Sequence, residues 1–412
     1  TTRAINKITV DPENPYLTAG GSLVLSKDGK TLYAALGNKR SISIPEGVET
    51  ISSSAFENLI FLSDISLPDS LVSVGRKAFA NTALRSITFG PNVKRIEAEA
   101  FTSCQNLTAA VFNEGLESIG AKAFYYAPIV SVRLPETLRE LGSCSFDCLS
   151  GETYYAGRPY QEFLIAASNP YIKADGNALY MIDGNNKTLQ AMYNAKFHQL
   201  PQGQKRLEYV VQEGTTHIAA AAFGSCMNLS KVTLPDGLVS IGASAFMDCQ
   251  NLKDIVLPDS VEVIMEYAFL RTALTEFKLG AALRAVGAGA FATGVGFYNQ
   301  GTLLRSIKVD KGNSIFYVYQ NALMKKLPDG TSAVVVYFGS DNVIALPDGV
   351  SEIYANAFVN STVQEIQIPS TVTSIGDKAF AGCTALTEIT LPASLTTLGE
   401  GYDASVFDGC IR

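Results

Sequence analysis

The chain has 412 residues, of which 47% are hydrophobic and only 17% charged, so it can bury a large interior and is not a disordered protein. Its 32 Lys and Arg against 39 Asp and Glu give a net charge of −7 without a basic block, which argues against a nucleic-acid partner. No run approaches the roughly 20 apolar residues of a membrane helix, and two histidines with no tryptophan leave little material for metal or acid/base sites.

The first predicted element is a β-hairpin near the N-terminus. Ile8-Thr9-Val10-Asp11 and Asn14 precede the apolar run Leu23 to Leu25 and the turn Asp28-Gly29. Asp-Gly between apolar runs is a strong hairpin signal, because both residues tolerate positive φ. Since this unit stands first, we expect it to cover one end of the core that follows.

After the hairpin, an Ala-Phe dipeptide or a close variant recurs at steps of 22 or 23 residues. The consensus sequence around it is L-x-x-I-x-L-P-x-x-L-x-x-I-G-x-x-A-F-x-x-C-x-x. A fixed period of this size is typical of a solenoid, in which each coil buries its apolar side chains by stacking on its neighbours. The phenylalanines of the series are Phe56, Phe79, Phe101, Phe124, Phe146, Phe223, Phe246, Phe269, Phe291, Phe358, Phe380 and Phe407.

Within each repeat, the I-x-L segment alternates inward apolar and outward polar residues, which predicts a short strand. The proline after it, such as Pro68 or Pro258, has no N–H and ends the strand, so a corner follows. A second apolar pair comes next and then a glycine, as in Leu238, Ile241 and Gly242. This glycine provides a backbone conformation or a close approach that a Cβ atom would forbid. No segment sustains a helical periodicity, so few or no long helices are expected.

Two further hairpin units interrupt the repeat series. They begin near residues 160 and 304, and each contains an asparagine, Asn169 or Asn313, followed by apolar runs about Asp183-Gly184 or Asp329-Gly330. The sequence therefore predicts one continuous, mainly β solenoid over residues 1–412, with short strands and inserted β-hairpins. Its three sub-blocks, each opened by a hairpin unit, are residues 1–159, 160–303 and 304–412.

The repeat resembles the BspA-type, or treponemal-type, leucine-rich repeat, whose signature is L-x-x-I-x-L-P-x-S-L-x-x-I-G-x-x-A-F-x-x-C. Leu62 to Phe79 and Leu386 to Leu398 follow it closely, whereas Ala110-Val111-Phe112-Asn113 departs from it. The resemblance covers nearly the whole chain and implies a right-handed leucine-rich repeat coil of 22 to 23 residues per repeat. It implies a secreted or surface-anchored protein of gut or oral anaerobic bacteria, or of protist parasites, that adheres to host proteins, epithelial cells or other bacteria without catalysis. It also implies that Thr1 follows a removed export segment.

The seven cysteines raise the question of disulfides or a metal site. Five of them stand three residues after a repeat phenylalanine, where other copies hold Ala, Thr, Ser, Leu or Gly. We interpret this position as a small interior slot, since free cysteine behaves as a small buried hydrophobe. A disulfide between Cys226 and Cys249 on adjacent coils stays open, and Cys144 and Cys148 flank Phe146. No C-x-x-C pair is present, so structural zinc is not expected.

The remaining candidates for chemistry are weak. His217 occupies a variable position before Ile218 and is expected on the coil surface, and His198 has no neighbouring carboxylate or cysteine. Asp-Gly-Asn at residues 175–177 and 183–185 is typical of tight turns and lacks the spaced ligands of a calcium loop. We expect no cofactor and no metal ion.

The candidate binding residues are the outward middle residues of the I-x-L strands. This row holds no carboxylate and only scattered cations, unlike the Asp, Lys and Arg clusters of β-helix lyases and hydrolases, so an enzyme is not expected. Val111 and Val256 belong to the same row. The selected residues are Ser66, Thr88, Arg133, Thr233, Lys278, Lys308, Gln367 and Thr390.

The sequence thus favours a non-catalytic, secreted or cell-surface adhesion module that binds an extracellular protein or glycan of host or microbial origin through this row and the hairpins. One alternative is a structural spacer or assembly element of a surface complex. Another is a glycan-binding module that relies on the 18 tyrosines, many of which lie near the hairpins. The same tyrosines also suit packing of the hairpins onto the coils beneath.

Overall fold

A computed structural model describes residues 8–129, 131–146, 162–193, 206–293, 303–399 and 405–410. These residues form 35 β-strands and no helix, and so they contain no helical segment that would span a membrane. The chain forms two compact units, unit 1 (Thr1–Ala195) and unit 2 (Lys196–Arg412). Each unit is a β-solenoid, which confirms the predicted fold class of short strands with inserted hairpins.

Most coils contribute two short strands, whereas the sequence predicts one. The first is the I-x-L strand, in which a buried residue such as Val132 alternates with exposed neighbours. The second has two residues in most coils and ends on the buried apolar residue before the glycine position, for example Val74 or Ile119. Two residues are too few to display an alternating pattern, so the sequence does not predict this strand.

Unit 1 contains three kinds of strand. Its I-x-L strands are β4 (Ser41–Ser43), β6 (Asp64–Ser66), β8 (Ser86–Thr88), β10 (Ala109–Val111), β12 (Ser131–Leu134) and β14 (Glu162–Ile165). Its second strands are β5 (Thr50–Ile51), β7 (Ser73–Val74), β9 (Arg95–Ile96), β11 (Ser118–Ile119) and β13 (Glu140–Leu141). Its hairpin strands are β1 (Leu17–Gly20), β2 (Leu23–Ser26), β3 (Thr31–Ala35), β15 (Ile172–Ala174), β16 (Ala178–Asp183) and β17 (Asn186–Met192).

Unit 2 is built in the same way. Its I-x-L strands are β18 (Leu207–Val210), β20 (Leu229–Thr233), β22 (Asp254–Ile255), β24 (Glu276–Leu279), β26 (Ser306–Val309), β30 (Val343–Ala345), β32 (Glu365–Gln367) and β34 (Glu388–Thr390). Its second strands are β19 (His217–Ile218), β21 (Ser240–Ile241), β23 (Val263–Ile264), β25 (Ala285–Val286), β31 (Val350–Ile353), β33 (Ser374–Ile375) and β35 (Thr397–Leu398). Its hairpin strands are β27 (Phe316–Tyr319), β28 (Ala322–Lys326) and β29 (Ser332–Tyr337).

Neighbouring coils stack in register as parallel strands. Ile51 pairs with Val74, and Val74 pairs with Ile96 on the following coil. The I-x-L strands stack in the same way, with Ile42 opposite Ile65. Each repeat position therefore lies about 4.8 Å from its counterpart on the next coil, which is why an unchanging residue at one repeat position becomes a continuous column along a unit.

Each hairpin unit is a three-stranded antiparallel meander: β1-β2-β3, β15-β16-β17 and β27-β28-β29. The predicted Asp-Gly turns join the second and third strands, with Gly29, Gly184 and Gly330 at φ of 75°, 56° and 86°. The first strand of each meander is an addition to the prediction. Strand β3 then pairs in parallel with β5, so the first meander covers the first coil of unit 1. The division into sub-blocks 1–159, 160–303 and 304–412 stays a prediction.

The repeat phenylalanines form ladders of stacked rings. The ring centroids of Phe56, Phe79, Phe101, Phe124 and Phe146 are 4.7, 5.0, 5.1 and 5.2 Å apart in succession. All five rings are buried. The same stacking joins Phe223 to Phe246, Phe246 to Phe269, and Phe358 to Phe380.

The backbone around each ring is a series of turns that bonds to the next coil without forming a strand. Ser54 and Asn58, two residues either side of Phe56, adopt left-handed φ of 59° and 63°. The N–H of Phe56 donates to the carbonyl of Ala78 at 2.7 Å, and that of Asn58 donates to Ala80 at 2.9 Å. Alternating handedness points every second N–H along the stacking direction, so the coils are hydrogen-bonded on this side as well.

Four of the five cysteines three residues after a repeat phenylalanine are buried in the interior slot that the sequence predicts, and Cys410 is half-buried. The Cys104 Sγ atom donates to the Phe79 carbonyl at 3.1 Å, and Thr82 in the same slot donates to that carbonyl at 2.9 Å. Cys226 and Cys249 are both buried, and no disulfide joins them. Cys148 lies outside the described residues.

These thiols are expected to be unreactive in the folded protein. Burial raises the pKa of Cys104 and raises that of Cys383 to about 12, because the thiolate would be desolvated. A raised pKa keeps the thiol protonated at every pH below it. We expect an aromatic disulfide reagent at about pH 8, near the ordinary thiol pKa, to leave both cysteines unmodified until guanidinium unfolds the chain. Peptide mass mapping checks this, and modification of either one in the native state would contradict it.

Candidate binding face

All eight selected residues lie on the outward side of the I-x-L strands and are exposed. The side chains of Arg133 and Lys278 are 78% and 61% exposed. Val132 and Leu134, on either side of Arg133, are buried in the core. Because side chains alternate across a strand, burial of the flanking residues fixes the outward direction of the residue between them.

The register brings four of the eight residues together in two pairs. Lys278 stands beside Lys308 on the next I-x-L strand, and Gln367 stands beside Thr390. The other four stand beside residues outside the predicted set: Ser43 beside Ser66, Val111 beside Thr88, Leu164 beside Arg133, and Val210 beside Thr233. Within each unit the candidates therefore follow the outward side of the I-x-L strands and form no single compact cluster.

Exposed apolar side chains share this face. Val210 and Val256 are 65% and 68% exposed, and Leu164 is 49% exposed. Val210 and Leu164 lie in the strands Leu-Glu-Tyr-Val and Glu-Phe-Leu-Ile. These strands lack the I-x-L-P motif, so the repeat alone does not predict the two residues on the outward face. The signal that does locate Val210 is its alternation with the buried residue Tyr209.

A cleft of about 760 Å³ opens beside Arg133. Its lining includes Glu114, Glu136, Thr137 and residues 163–166. The Nη2 atom of Arg133 lies 3.7 Å from Oε1 of Glu114, and both side chains are largely exposed. An exposed ion pair of this length contributes little stability, so both charges are available to a polar group of a partner.

Asn169 fixes the wall of this cleft. Its buried Nδ2 donates to the carbonyls of Pro135 and Leu138 at 3.0 and 3.2 Å. Its Oδ1 accepts the N–H groups of Tyr171 and Ile172 at 2.8 and 2.9 Å. One amide thus joins the start of a hairpin unit to the preceding corner, which explains why the asparagine recurs. Asn313 makes the same four bonds, with Gly280, Leu283, Ile315 and Phe316.

Replacing Asn169 with alanine is expected to lower the free energy of unfolding by about 1 to 3 kcal/mol, because it leaves buried N–H and C=O groups without partners. Asn169→Asp, which keeps the acceptor and loses the donor, is expected to destabilise as well. Ser168→Ala, at the exposed neighbouring position, is the control: it removes only the exposed hydrogen bond from the Ser168 hydroxyl to Glu136 and should change stability by less than about 0.5 kcal/mol. Equal urea midpoints for the alanine variants would refute the role of the amide.

The histidine and the Asp-Gly-Asn segments show ordinary structural roles. His217 is half-buried in β19, and its Nδ1 lies 2.7 Å from Oγ1 of Thr216. The Oδ1 of Asp175 accepts the N–H of Asn177 at 2.8 Å, as a tight turn requires. His198 lies outside the described residues. The described His, Cys, Asp and Glu side chains form no group that would hold a metal ion.

The described tyrosines of the hairpin units include a buried set and an exposed set. Tyr180 and Tyr337 are buried, and Tyr337 donates a hydrogen bond to the Asp341 carboxylate at 2.9 Å. Tyr16 and Tyr33 in the first hairpin unit are 77% and 46% exposed. Packing of hairpins onto coils therefore accounts for the first set, and the second set remains available for contact with a partner.

The stacked coils, the in-register I-x-L strands and the buried phenylalanine ladder define a leucine-rich-repeat β-solenoid. The family model described as "BspA type Leucine rich repeat region" matches residues 29–150, 204–320 and 339–410 in six copies. These ranges cover well over half of the sequence. The chain belongs to the BspA-type leucine-rich repeat family.

Several solved structures are similar to this chain. The pneumococcal vaccine antigen PcpA has a TM-score of 0.52 at 20% identity over 94% of this chain and 88% of that one, which supports the fold. A leucine-rich repeat protein from Eubacterium ventriosum ATCC 27560 has a TM-score of 0.46 at 16% identity over 96% and 94%. A leucine rich cell surface protein from Faecalibacterium prausnitzii A2-165 has a TM-score of 0.37 at 21% identity over 97% and 88%. A search of curated proteins found no match.

Proposed function

We propose that this chain is a non-catalytic, secreted or cell-surface adhesion module that binds a host or microbial macromolecule through the outward face of its I-x-L strands, edged by the hairpins. One observation carries the proposal: buried positions repeat the same few apolar residues, whereas the outward row varies among Ser, Thr, Val, Arg, Lys and Gln. A scaffold whose interior is fixed and whose face varies suits recognition of a partner. Membership of a leucine-rich repeat family, whose members are generally non-catalytic, supports it.

The face has the chemical mixture of a protein-binding surface. Exposed valines supply apolar area, and cations such as Lys278 supply charge. The Nζ atom of Lys278 lies 3.5 Å from Oδ1 of Asp259, with 61% and 70% of the two side chains exposed. Such solvated pairs exchange readily for a partner's carboxylate or amide. The described middle residues of the row include no carboxylate and no histidine, the groups most often used for acid–base catalysis.

Charge reversal on this face is expected to weaken binding. The purified chain is first tested against an array of extracellular-matrix proteins, plasma proteins, mucins and glycans. Arg133→Glu should then reduce affinity for the macromolecule identified in the array at least about tenfold, and Lys278→Glu should do so if the contact lies in unit 2. This is the loss expected when one contact of a few kcal/mol is removed. Surface plasmon resonance at physiological salt measures the change.

Matched controls come from the second strands. Arg95 on β9 is 57% exposed and Arg284 beside β25 is 60% exposed. Arg95→Glu and Arg284→Glu should leave affinity within about twofold, since solvated surface charges away from a contact contribute little. Equal losses of affinity for variants of the I-x-L strands and of the second strands would refute the assignment of the binding face to the I-x-L strands.

Two other results would favour the alternatives. Binding that depends on Tyr16 and resists salt would favour the glycan-binding module. A folded chain that binds no component of the array would favour the structural spacer.

A further inference from the structure

An exposed apolar pair lies on a corner of unit 1, just before an I-x-L strand and outside the outward row. Ile60 and Phe61 are 56% and 50% exposed and lie in the corner that leads into β6. Two coils further on, the same corner holds Gln105-Asn106, and the coil between has Ala83 there. The repeat therefore does not require large apolar side chains at this place, and their exposure needs another explanation.

Cations stand on both sides of the pair. The N–H of Ser63, just after the pair, donates to the carbonyl of Arg40 at 2.9 Å, and the N–H of Arg85 donates to the carbonyl of Ser63 at 3.4 Å. Lys39 and Arg40 therefore lie on the preceding coil and Arg85 on the following one. All three side chains are exposed. The neighbouring carboxylate, Asp64, accepts the Ser63 hydroxyl at 2.6 Å.

These three cations differ from the other described Lys and Arg residues of unit 1. The others contact a carboxylate, a carbonyl or an aromatic ring, as Lys30 does with Glu49 at 2.8 Å. The side chains of Lys39, Arg40 and Arg85 make none of these contacts with the described residues. An apolar tip with a rim of unpaired positive charge is therefore a local feature of this corner, on a chain whose net charge is −7.

We propose that Ile60, Phe61, Lys39, Arg40 and Arg85 form a docking patch for an anionic lipid surface. The two apolar side chains would enter the boundary between headgroups and acyl chains, while the cations contact lipid phosphates and carboxylates. An exposed corner enters a fluid surface without needing a pre-shaped pocket, which favours lipid over a folded protein. This patch lies outside the outward row, so the inference does not depend on the proposed adhesion function.

The test uses the full chain and sedimentation with vesicles. Vesicles of phosphatidylcholine alone are compared with vesicles containing about one third phosphatidylserine, since each cation near an anionic surface is expected to raise affinity about fivefold. The wild-type chain should bind the anionic vesicles at lipid concentrations of about 1 mM and should release them in high salt. The chain should bind vesicles of zwitterionic phosphatidylcholine alone at least tenfold less tightly.

The key variant, Ile60→Gln with Phe61→Asn, copies the residues that the coil at Gln105-Asn106 already carries, so the fold should tolerate it. It should reduce vesicle binding at least about tenfold, and Arg40→Gln with Arg85→Gln should do so too. The matched controls are Arg95→Gln and Val111→Thr, which remove an exposed cation and an exposed apolar group elsewhere on unit 1.

Each outcome decides the inference. Loss of binding in both double variants, with binding kept in both controls, supports it. Failure of the wild-type chain to bind anionic vesicles overturns it, as does equal binding to uncharged vesicles or full binding by a folded Ile60→Gln, Phe61→Asn chain. Should that variant not fold, the Arg40→Gln, Arg85→Gln variant decides. If the wild-type chain does not bind vesicles, and the Ile60→Gln, Phe61→Asn variant loses binding to a protein of the array, the patch is assigned to a protein partner and the lipid proposal is overturned.

Discussion

Replacing Phe246 with alanine is expected to lower the free energy of unfolding by about 3 to 5 kcal/mol. Its ring is fully buried, with centroids 4.7 and 5.3 Å from those of Phe223 and Phe269. Truncation leaves a cavity that touches both neighbouring rings. The coils cannot close over it, because their spacing is set by the hydrogen bonds of the strands and turns on every side. Urea denaturation of the full chain measures the loss.

The control for this variant is Lys253→Ala. Lys253 is exposed and lies one residue before β22, the I-x-L strand that follows Phe246 in the sequence. Its truncation removes no buried group, so the urea midpoint should stay within the range expected for a change below about 0.5 kcal/mol. If both variants shift the transition equally, the stacked-ring ladder is not what holds the coils of unit 2 together.

The second large effect is expected from Gly120→Ala, at about 3 kcal/mol or more. Gly120 follows β11, and it does not adopt a positive φ. A Cβ atom there would lie 2.3 Å from the amide nitrogen of Ala98 and 2.7 Å from the carbonyl carbon of Glu97. These are backbone atoms of the preceding coil, so they cannot rotate away. Of the two reasons that the sequence offers for this glycine, close approach is therefore the correct one.

Glu97→Ala is the matched control for this clash. Glu97 occupies the same repeat position one coil earlier, where a side chain is accommodated and 52% of it is exposed. Shortening it should change stability by less than about 0.5 kcal/mol. A comparison of urea midpoints for the two alanine variants tests the packing distance between coils. If Gly120→Ala were as stable as Glu97→Ala, the coils would have to be further apart than the structure places them.

The fold could be predicted from the sequence because its signal is repeated. A buried residue such as Phe101 stacks on its own counterpart in the next coil, so the period of the sequence is the period of the structure. The turns around each ring carry no such signal. Asn58, Ser103 and Tyr126 share the same left-handed backbone, although their side chains differ. Hydrogen bonds to the next coil stabilise that backbone, and bonds between coils cannot be seen in one repeat.

The candidate site was predictable residue by residue but not as a surface. Alternation within a strand shows that Lys278 and Lys308 point outward, and both do. They stand 30 residues apart in the sequence, and the repeat step is 22 or 23, so the period alone does not predict their pairing. The cleft beside Arg133 is likewise not predicted, because its lining includes Leu164. This residue pairs with Arg133 from a strand that lacks the I-x-L-P motif.

The interior and the outward row have different requirements. In-register stacking allows only a few residue types at the position of Phe246, and the backbone of the preceding coil leaves no room for a Cβ atom at Gly120. The outward residues bear no such constraint, because each is surrounded by solvent and by the outward residues of adjacent coils. Substitutions there should change recognition without changing stability, which is the property that an adhesion module on a repeat scaffold requires.

The most direct test of the proposed function is a charge scan of two rows against the macromolecule that the array identifies. Each of the eight outward residues from Ser66 to Thr390 is changed to glutamate, and so are exposed second-strand positions such as Arg95. Binding affinity and melting temperature are measured for every variant. We expect large affinity losses confined to neighbouring outward positions, with all melting temperatures near that of the parent chain. Losses centred on the second strands, or none in either row, would contradict the proposal.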